Sequence, residues 1–207
     1  MTEFDSNEEM YTYWWLKELQ DKGFIIKIER AESYSLSSGL KIPFFTPYKK
    51  KAGGSFTEEE VLGPHVYTPD YYIEWSKKAI EVFTIDLYSV ERKKKNRSFQ
   101  YVISQKNSKD EMFSVIEVKP SFDQNNMTRA AKINIKWVWE KHNEFVNIII
   151  PEKHFEKTFT PQKYLFTNLS KKPRKIKYKN ILTLDQFVKS KRSESTSFEQ
   201  QPLIPNK

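Results

Sequence analysis

Cysteine is absent from this chain. Disulfides and thiolate metal sites are therefore excluded, and any metal must be held by carboxylates or histidines. Histidine is scarce as well: there are three, none in an HExxH spacing, which argues against a zinc site. No apolar run approaches the length of a membrane span. The N-terminus carries Glu3, Asp5, Glu8 and Glu9, the opposite of a signal peptide. These absences lead to the expectation of a soluble protein with no membrane partner, intracellular or packaged in a particle. There is no internal repeat.

What is present is an aromatic core under a charged surface. Aromatics make up 15% of the 207 residues, so the low mean hydropathy of -0.73 does not indicate disorder. The length suffices for one domain with a real core and a small insertion. The net charge of +8 and pI near 9.3 favour a polyanionic partner, with nucleic acid the commonest.

Ser6-Asn7-Glu8-Glu9 reads as a capping box that opens a helix running to about Lys22, where Gly23 stops it. Strands are expected over Phe24–Arg30 and within Tyr34–Phe45, turning at Ser38-Gly39. A loop is expected from Pro47 to Pro64, and a strand over Val66–Trp75. Val82–Val90 and Phe99–Gln105 read as two arms of a hairpin with a basic tip, Glu91 to Arg97. Met112–Val118 is a continuous apolar run of the kind buried on both faces. Asp123–Asn143 is the clearest helix, with Arg129, Lys132, Lys136 and Glu140 on its polar face. Met127, Ala131, Ile135 and Val138 form its apolar side, widened by Ile133 and Trp137. A buried strand, Phe145–Ile150, follows, so strand, helix and strand imply a right-handed crossover and a locally parallel pair. A short helix is expected over Leu184–Lys189, and disorder from Ser190 to Lys207.

Two segments carry the chemistry. One contains Thr68-Pro69-Asp70, the only Pro-Asp in the chain; the other contains Glu117-Val118-Lys119. Only Glu91 and Glu117 have a Lys two residues later, and Glu91 lies in a solvated charge run. Phosphodiester cleavage needs a divalent cation, an activated water and charge stabilisation at the phosphate. Mg²⁺ takes oxygen ligands and keeps several waters, so two or three carboxylates suffice. A Lys two residues after a Glu on a strand points to the same face. The plainer alternative is a cross-strand ion pair in one segment and a turn-closing Asp70 in the other.

The order of these parts resembles the PD-(D/E)xK nuclease superfamily, and within it the phage endonuclease I-type enzymes that resolve Holliday junctions. The matching parts are Ser6 to Glu9, Thr68-Pro69-Asp70, Glu117-Val118-Lys119 and the helix bearing Arg129 and Lys132, within about residues 6 to 150. The resemblance implies an α/β, restriction-endonuclease-like fold: a mixed central sheet flanked by helices, here with an inserted basic β-hairpin. The nuclease core would span 1–160 with its insertion at about 77–110. A C-terminal extension packing on that core would span 161–189, and a disordered tail 190–207.

The same resemblance implies a metal-dependent DNA endonuclease, phage-encoded, acting in the host cytoplasm or carried in a virion. Asp70 and Glu117, with the Val118 carbonyl, would bind Mg²⁺ or Mn²⁺. Lys119 would position the attacking water, and Glu9 would be a further catalytic acid, with a pure capping role as its alternative and Glu8 as its fallback. Lys93, Lys94, Lys95, Arg97, Arg129 and Lys132 would contact DNA, though for each an ordinary solvated surface is the competing reading. His65 is read as an incidental loop residue. Trp14, Trp15, Trp137 and Trp139 are read as core. A homodimer would suit cutting two strands, but no dimer interface is legible. The rival readings are a non-catalytic nucleic-acid-binding or virion component, and a scaffold protein in which Asp70 and Glu117 lie far apart.

Overall fold

The computed structural model describes residues 4–50, 52–89, 100–121 and 127–199. Helix α1 spans Asn7–Asp21. Ser6 caps it by accepting the Glu9 N–H at 3.1 Å, while the Glu9 carboxylate reaches back to the Asp5 N–H and the Ser6 hydroxyl. Gly23, at φ +74, ends the helix.

The chain then builds a mixed α/β architecture. Strands β1 (Ile25–Glu29), β6 (Tyr71–Trp75) and β9 (Met112–Val118) lie side by side, each antiparallel to the next. Helix α2 (Met127–His142) crosses over to β10 (Val146–Ile149), which runs parallel to the second half of β9. The first half of β9 pairs on that same side with β8 (Val102–Lys106). Asn147 closes the seam between β8 and β10. It accepts the Ile103 N–H at 2.8 Å and donates to the Ile103 and Val115 carbonyls.

Period-two alternation along β9 divides the interior into two cores. Ile116 and Val118 face α1, where Trp15, Leu16 and Leu19 pack with Phe83, Phe155 and Phe159. Phe113 and Val115 face α2, where they meet Val138, Val146 and Tyr67. Tyr164, Leu184 and Phe187 from the C-terminal part join the first core. Arg174 lies against the rings of Tyr11 and Tyr164, at 4.7 and 4.5 Å, and fastens that part to α1.

Several expectations are corrected. The span from Pro47 to Pro64 is not a loop. It holds β4 (Gly54–Leu62), which pairs antiparallel with β3 (Leu40–Pro47). Both faces of that ribbon are wet, so it lacks the apolar alternation by which a strand is recognised. The strand expected over Val66–Trp75 is two strands in different sheets. β5 (His65–Tyr67) pairs with β2 (Tyr34–Ser37), and the chain breaks at Thr68-Pro69-Asp70 before β6.

The expected hairpin over 82–105 is not one. β7 (Thr84–Asp86) runs parallel to β8, and an apolar run carries no information about direction. Its basic tip, with Lys93, Lys94, Lys95 and Arg97, lies outside the described residues. Helix α3 covers Pro151–Lys157. Helix α4 runs from Leu184 to Glu199, beyond Lys189 and into the stretch expected to be disordered. Ser190 and Ser193 there donate to carbonyls of the preceding turn, which accommodates polar residues in the helix.

Candidate active site

Asp70 precedes the first residue of β6, and its N–H donates to the Ile116 carbonyl at 3.0 Å. Pro69, which lacks an N–H, breaks the ladder just before this point. The carboxylate therefore turns across the end of β9, where Oδ2 accepts the Val118 N–H at 2.6 Å. Glu117 and Lys119 share one face of β9 and its extension. The Lys119 N–H is tied to the Ile149 carbonyl at 2.8 Å, so β10 holds this segment from its other side. Lys119 Nζ lies 2.5 Å from Glu117 Oε1. The other Glu117 oxygen accepts the Tyr67 hydroxyl at 2.9 Å.

Glu9 arrives from the first turn of α1 and is buried. Arg30, just after β1, donates to its Oε2 at 3.1 Å, and the Tyr71 hydroxyl donates to its backbone carbonyl. The Arg30 guanidinium also lies over the Tyr71 ring, 5.3 Å from its centroid. Glu9 thus both caps the helix and takes part in the site's charge network. Glu8 is only half-buried, and its carbonyl serves Thr12.

The electrostatics centre on Asp70. Burial pushes its pKa up from 3.8 to about 7, against the Val118 N–H, which favours the charged form. The carboxylates of Glu117 and Glu9 push it further up, and Lys119 opposes them. The Tyr67 phenol is raised above its ordinary range by burial and by Glu117, so it stays a hydrogen-bond donor.

Glu9, Asp70, Glu117 and Lys119 are therefore brought together, which the scaffold reading with a distant Asp70 and Glu117 does not accommodate. Among the described residues, no group of three or more His, Cys, Asp or Glu is arranged to hold a metal ion. Glu117 is engaged by Lys119 and Tyr67, and Glu9 by Arg30. The Asp70 carboxylate on the Val118 N–H and the Glu117 carboxylate of the neighbouring residue are oxygen donors of the type a hard divalent cation takes while keeping most of its waters.

Arg129 and Lys132 are exposed on the first half of α2. His65 has partners: its Nε2 is 3.0 Å from Asn134 Oδ1, and its ring meets Trp137 edge-on at 5.6 Å. Trp15 is fully buried and Trp14 half-buried, but Trp137 and Trp139 are each 40% exposed. Ile133 is 54% exposed. Among the side chains described, the apolar stripe of α2 is therefore narrower than its sequence suggests: Ala131 and Val138 are buried and Ile135 half-buried, while the side chain of Met127 lies outside those described.

Arg30 and Tyr67 belong to the site although the sequence does not single them out. Tyr67 immediately precedes Thr68-Pro69-Asp70, which marks its position but not its role. Nothing local marks Arg30, since its partner Glu9 belongs to another element.

No helix among the described residues is long and apolar enough to cross a membrane. Compared with protein-family models, with characterised proteins and with solved structures, the chain matches none.

Proposed function

We propose that this protein is a metal-dependent endonuclease that hydrolyses phosphodiester bonds in DNA. The observation that carries the reading is the convergence of Asp70, Glu117 and Lys119 where β6 begins and β9 ends, with Glu9 beside them. The order α1, β1, β6, β9, α2, β10 agrees with a restriction-endonuclease-like core, and the charge of +8 agrees with a polyanionic substrate.

Asp70 and Glu117, with the Val118 carbonyl, would hold Mg²⁺ or Mn²⁺. Such an ion, when bound, lowers the pKa of a coordinated water and offsets charge on the phosphate. The chain's own residues do the rest. Lys119, fixed between β9 and β10, orients the attacking water and neutralises charge developing on the scissile phosphate. The Tyr67 hydroxyl holds one Glu117 oxygen in place. Arg30 offsets the charge of Glu9 beside Asp70. Exposed Arg129 and Lys132 supply phosphate contacts that position the backbone without reading bases. Branched DNA is the substrate suggested by the resemblance to junction-resolving enzymes, cut in the host cytoplasm if the protein is phage-encoded.

One observation favours a second reading, a non-catalytic nucleic-acid-binding or virion component. Glu117 and Glu9 are already engaged by cationic side chains, and no three-acid set is assembled among the described residues. A single assay separates the two. Supercoiled plasmid and a four-way junction are incubated with Mg²⁺, Mn²⁺ or EDTA, comparing wild type with Glu117→Gln. Metal-dependent cutting that the substitution removes supports the nuclease. DNA binding without cutting supports the second reading.

A further inference from the structure

The positive charge of this protein is concentrated in one stretch. Residues 161–183 hold seven basic residues, from Lys163 to Lys179, and no acidic one, so they account for +7 of the net +8. The stretch lies beyond the part that resembles a nuclease, and the proposed reaction does not use it. Lys171, Lys172, Lys175, Lys177 and Lys179 are all exposed, and none of them forms an ion pair among the described residues. Like charges gathered in this way repel one another until an anion accompanies them.

The fold sets part of this charge in a row. From Arg174 to Lys179 every second side chain turns inward. Arg174 lies on the Tyr11 and Tyr164 rings, and Ile176 and Tyr178 pack on the first core, where the Tyr178 hydroxyl is 2.9 Å from Thr160 Oγ1. Lys175, Lys177 and Lys179 are left on the outer side. Side chains on one side of an extended chain recur every ~6.6 Å, close to the step between successive phosphates of one nucleic-acid strand. We propose that Lys175, Lys177 and Lys179 form a phosphate-binding track for one strand of DNA, separate from the contacts made by α2.

The track starts beside the carboxylates and leads away from them. The loop before it is closed by the pairing of Phe166 with Pro173, by the Thr167 N–H on the Lys172 carbonyl at 2.8 Å and by the Arg174 N–H on the Leu165 carbonyl at 2.7 Å. From that loop the Asn168 amide donates to the sulfur of Met10, the residue after Glu9, at 3.6 Å. Lys171 and Lys172 therefore stand near the first turns of α1. The stretch packs on the α1 side of the sheet, whereas Arg129 and Lys132 belong to the helix on its other side. DNA on the track and DNA on α2 would thus approach the end of β9 from opposite layers. A membrane surface is the poorer match, because a segment lying in a membrane turns its apolar side chains outward, and here Ile176 and Tyr178 are turned into the core.

The proposal rests on the reading of this protein as one that acts on DNA, but its test needs no cleavage. Binding of labelled single-stranded and duplex DNA by the full chain is followed by fluorescence anisotropy, in EDTA or Ca²⁺, at several salt concentrations. Replacing Lys175, Lys177 and Lys179 together by Gln is expected to weaken binding at least about tenfold and to lower the slope of log affinity against log salt by about two to three. The melting temperature should hold, since all three side chains face solvent. Wild-type binding that the triple substitution leaves unchanged in affinity and slope would overturn the proposal and leave the nuclease reading standing. Binding that the substitution weakens, in a protein that cuts nothing with Mg²⁺ or Mn²⁺, would support the track and remove the nuclease reading. A wild type that binds no DNA but binds anionic vesicles through these lysines would overturn the proposal in favour of a membrane surface.

Discussion

The Asp70 carboxylate rests on the backbone N–H of Val118, at 2.6 Å, and Val118 is the residue between Glu117 and Lys119. One hydrogen bond thus joins two sequence motifs and sets where the acid just before β6 meets the acid and the lysine at the end of β9. The Val118 N–H favours the ionised carboxylate, but burial and the neighbouring acids prevail and leave Asp70 with a raised pKa. An oxygen-binding cation would reverse that balance.

Asp70 makes stability depend on pH. Its folded pKa of about 7 exceeds its ordinary 3.8, so the fold binds this proton more tightly than the unfolded chain does. Its stabilising contribution is complete below about pH 4 and is lost as pH rises through about 7. In metal-free buffer, Asp70→Asn should therefore gain stability relative to wild type between these pH values, on the order of 2–4 kcal/mol. Thermal melts across the range check this; a constant difference between the two proteins would contradict it.

Divalent cations should act on the same balance from the other direction. Mg²⁺ or Mn²⁺ at a hundred times its dissociation constant should stabilise wild type by about 2.7 kcal/mol. Asp70→Asn and Glu117→Gln should lose that stabilisation, and wild type should lose it at acid pH, where Asp70 holds its proton. Calorimetric melts with and without EDTA measure the effect.

Lys119 should separate binding from chemistry. Lys119→Met keeps much of the stem but removes the charge, and its cleavage rate should fall by about a hundredfold or more. Cation-induced stabilisation should persist or grow, because Glu117 is freed from its ion pair. Loss of both responses together would instead make Lys119 a structural partner of Glu117.

Arg30 should matter more than its exposed position suggests. Arg30→Met removes the ion pair that the buried Glu9 carboxylate makes and should cost about 1–3 kcal/mol. Adding Glu9→Gln should recover part of that cost. A double-mutant cycle of denaturant melts gives the coupling, and strict additivity would show the pair to be idle.

Arg129 and Lys132 should contribute to affinity without selecting sequence. Replacing both with Ala should weaken DNA binding and reduce the dependence of log affinity on log salt by about one for each phosphate left unpaired. Titrations at several salt concentrations read the slope directly.

Local chemistry is enough to read several parts from the sequence. The capping box at Ser6 and Glu9, the apolar run of β9 and the helix after it follow from hydrogen-bonding capacity and side-chain period, which act over a few residues. Asp70, Glu117 and Lys119 are likewise visible as residue types set beside strands. Their meeting is not, because it depends on β6 and β9 being neighbours. Nor is the engagement of Glu9 by Arg30 or of Glu117 by Tyr67, since neither partner is marked by local pattern.

The parallel run of β7 and β8 and the wet β3–β4 ribbon depart from expectation for a related reason. Strand direction and solvent exposure are properties of what packs against a segment. A sequence determines such features only through the whole chain at once, by burying Trp15, Ile116 and Val138 in two separate cores. That burial is the largest favourable contribution to folding, and it selects the one sheet order that brings the carboxylates together.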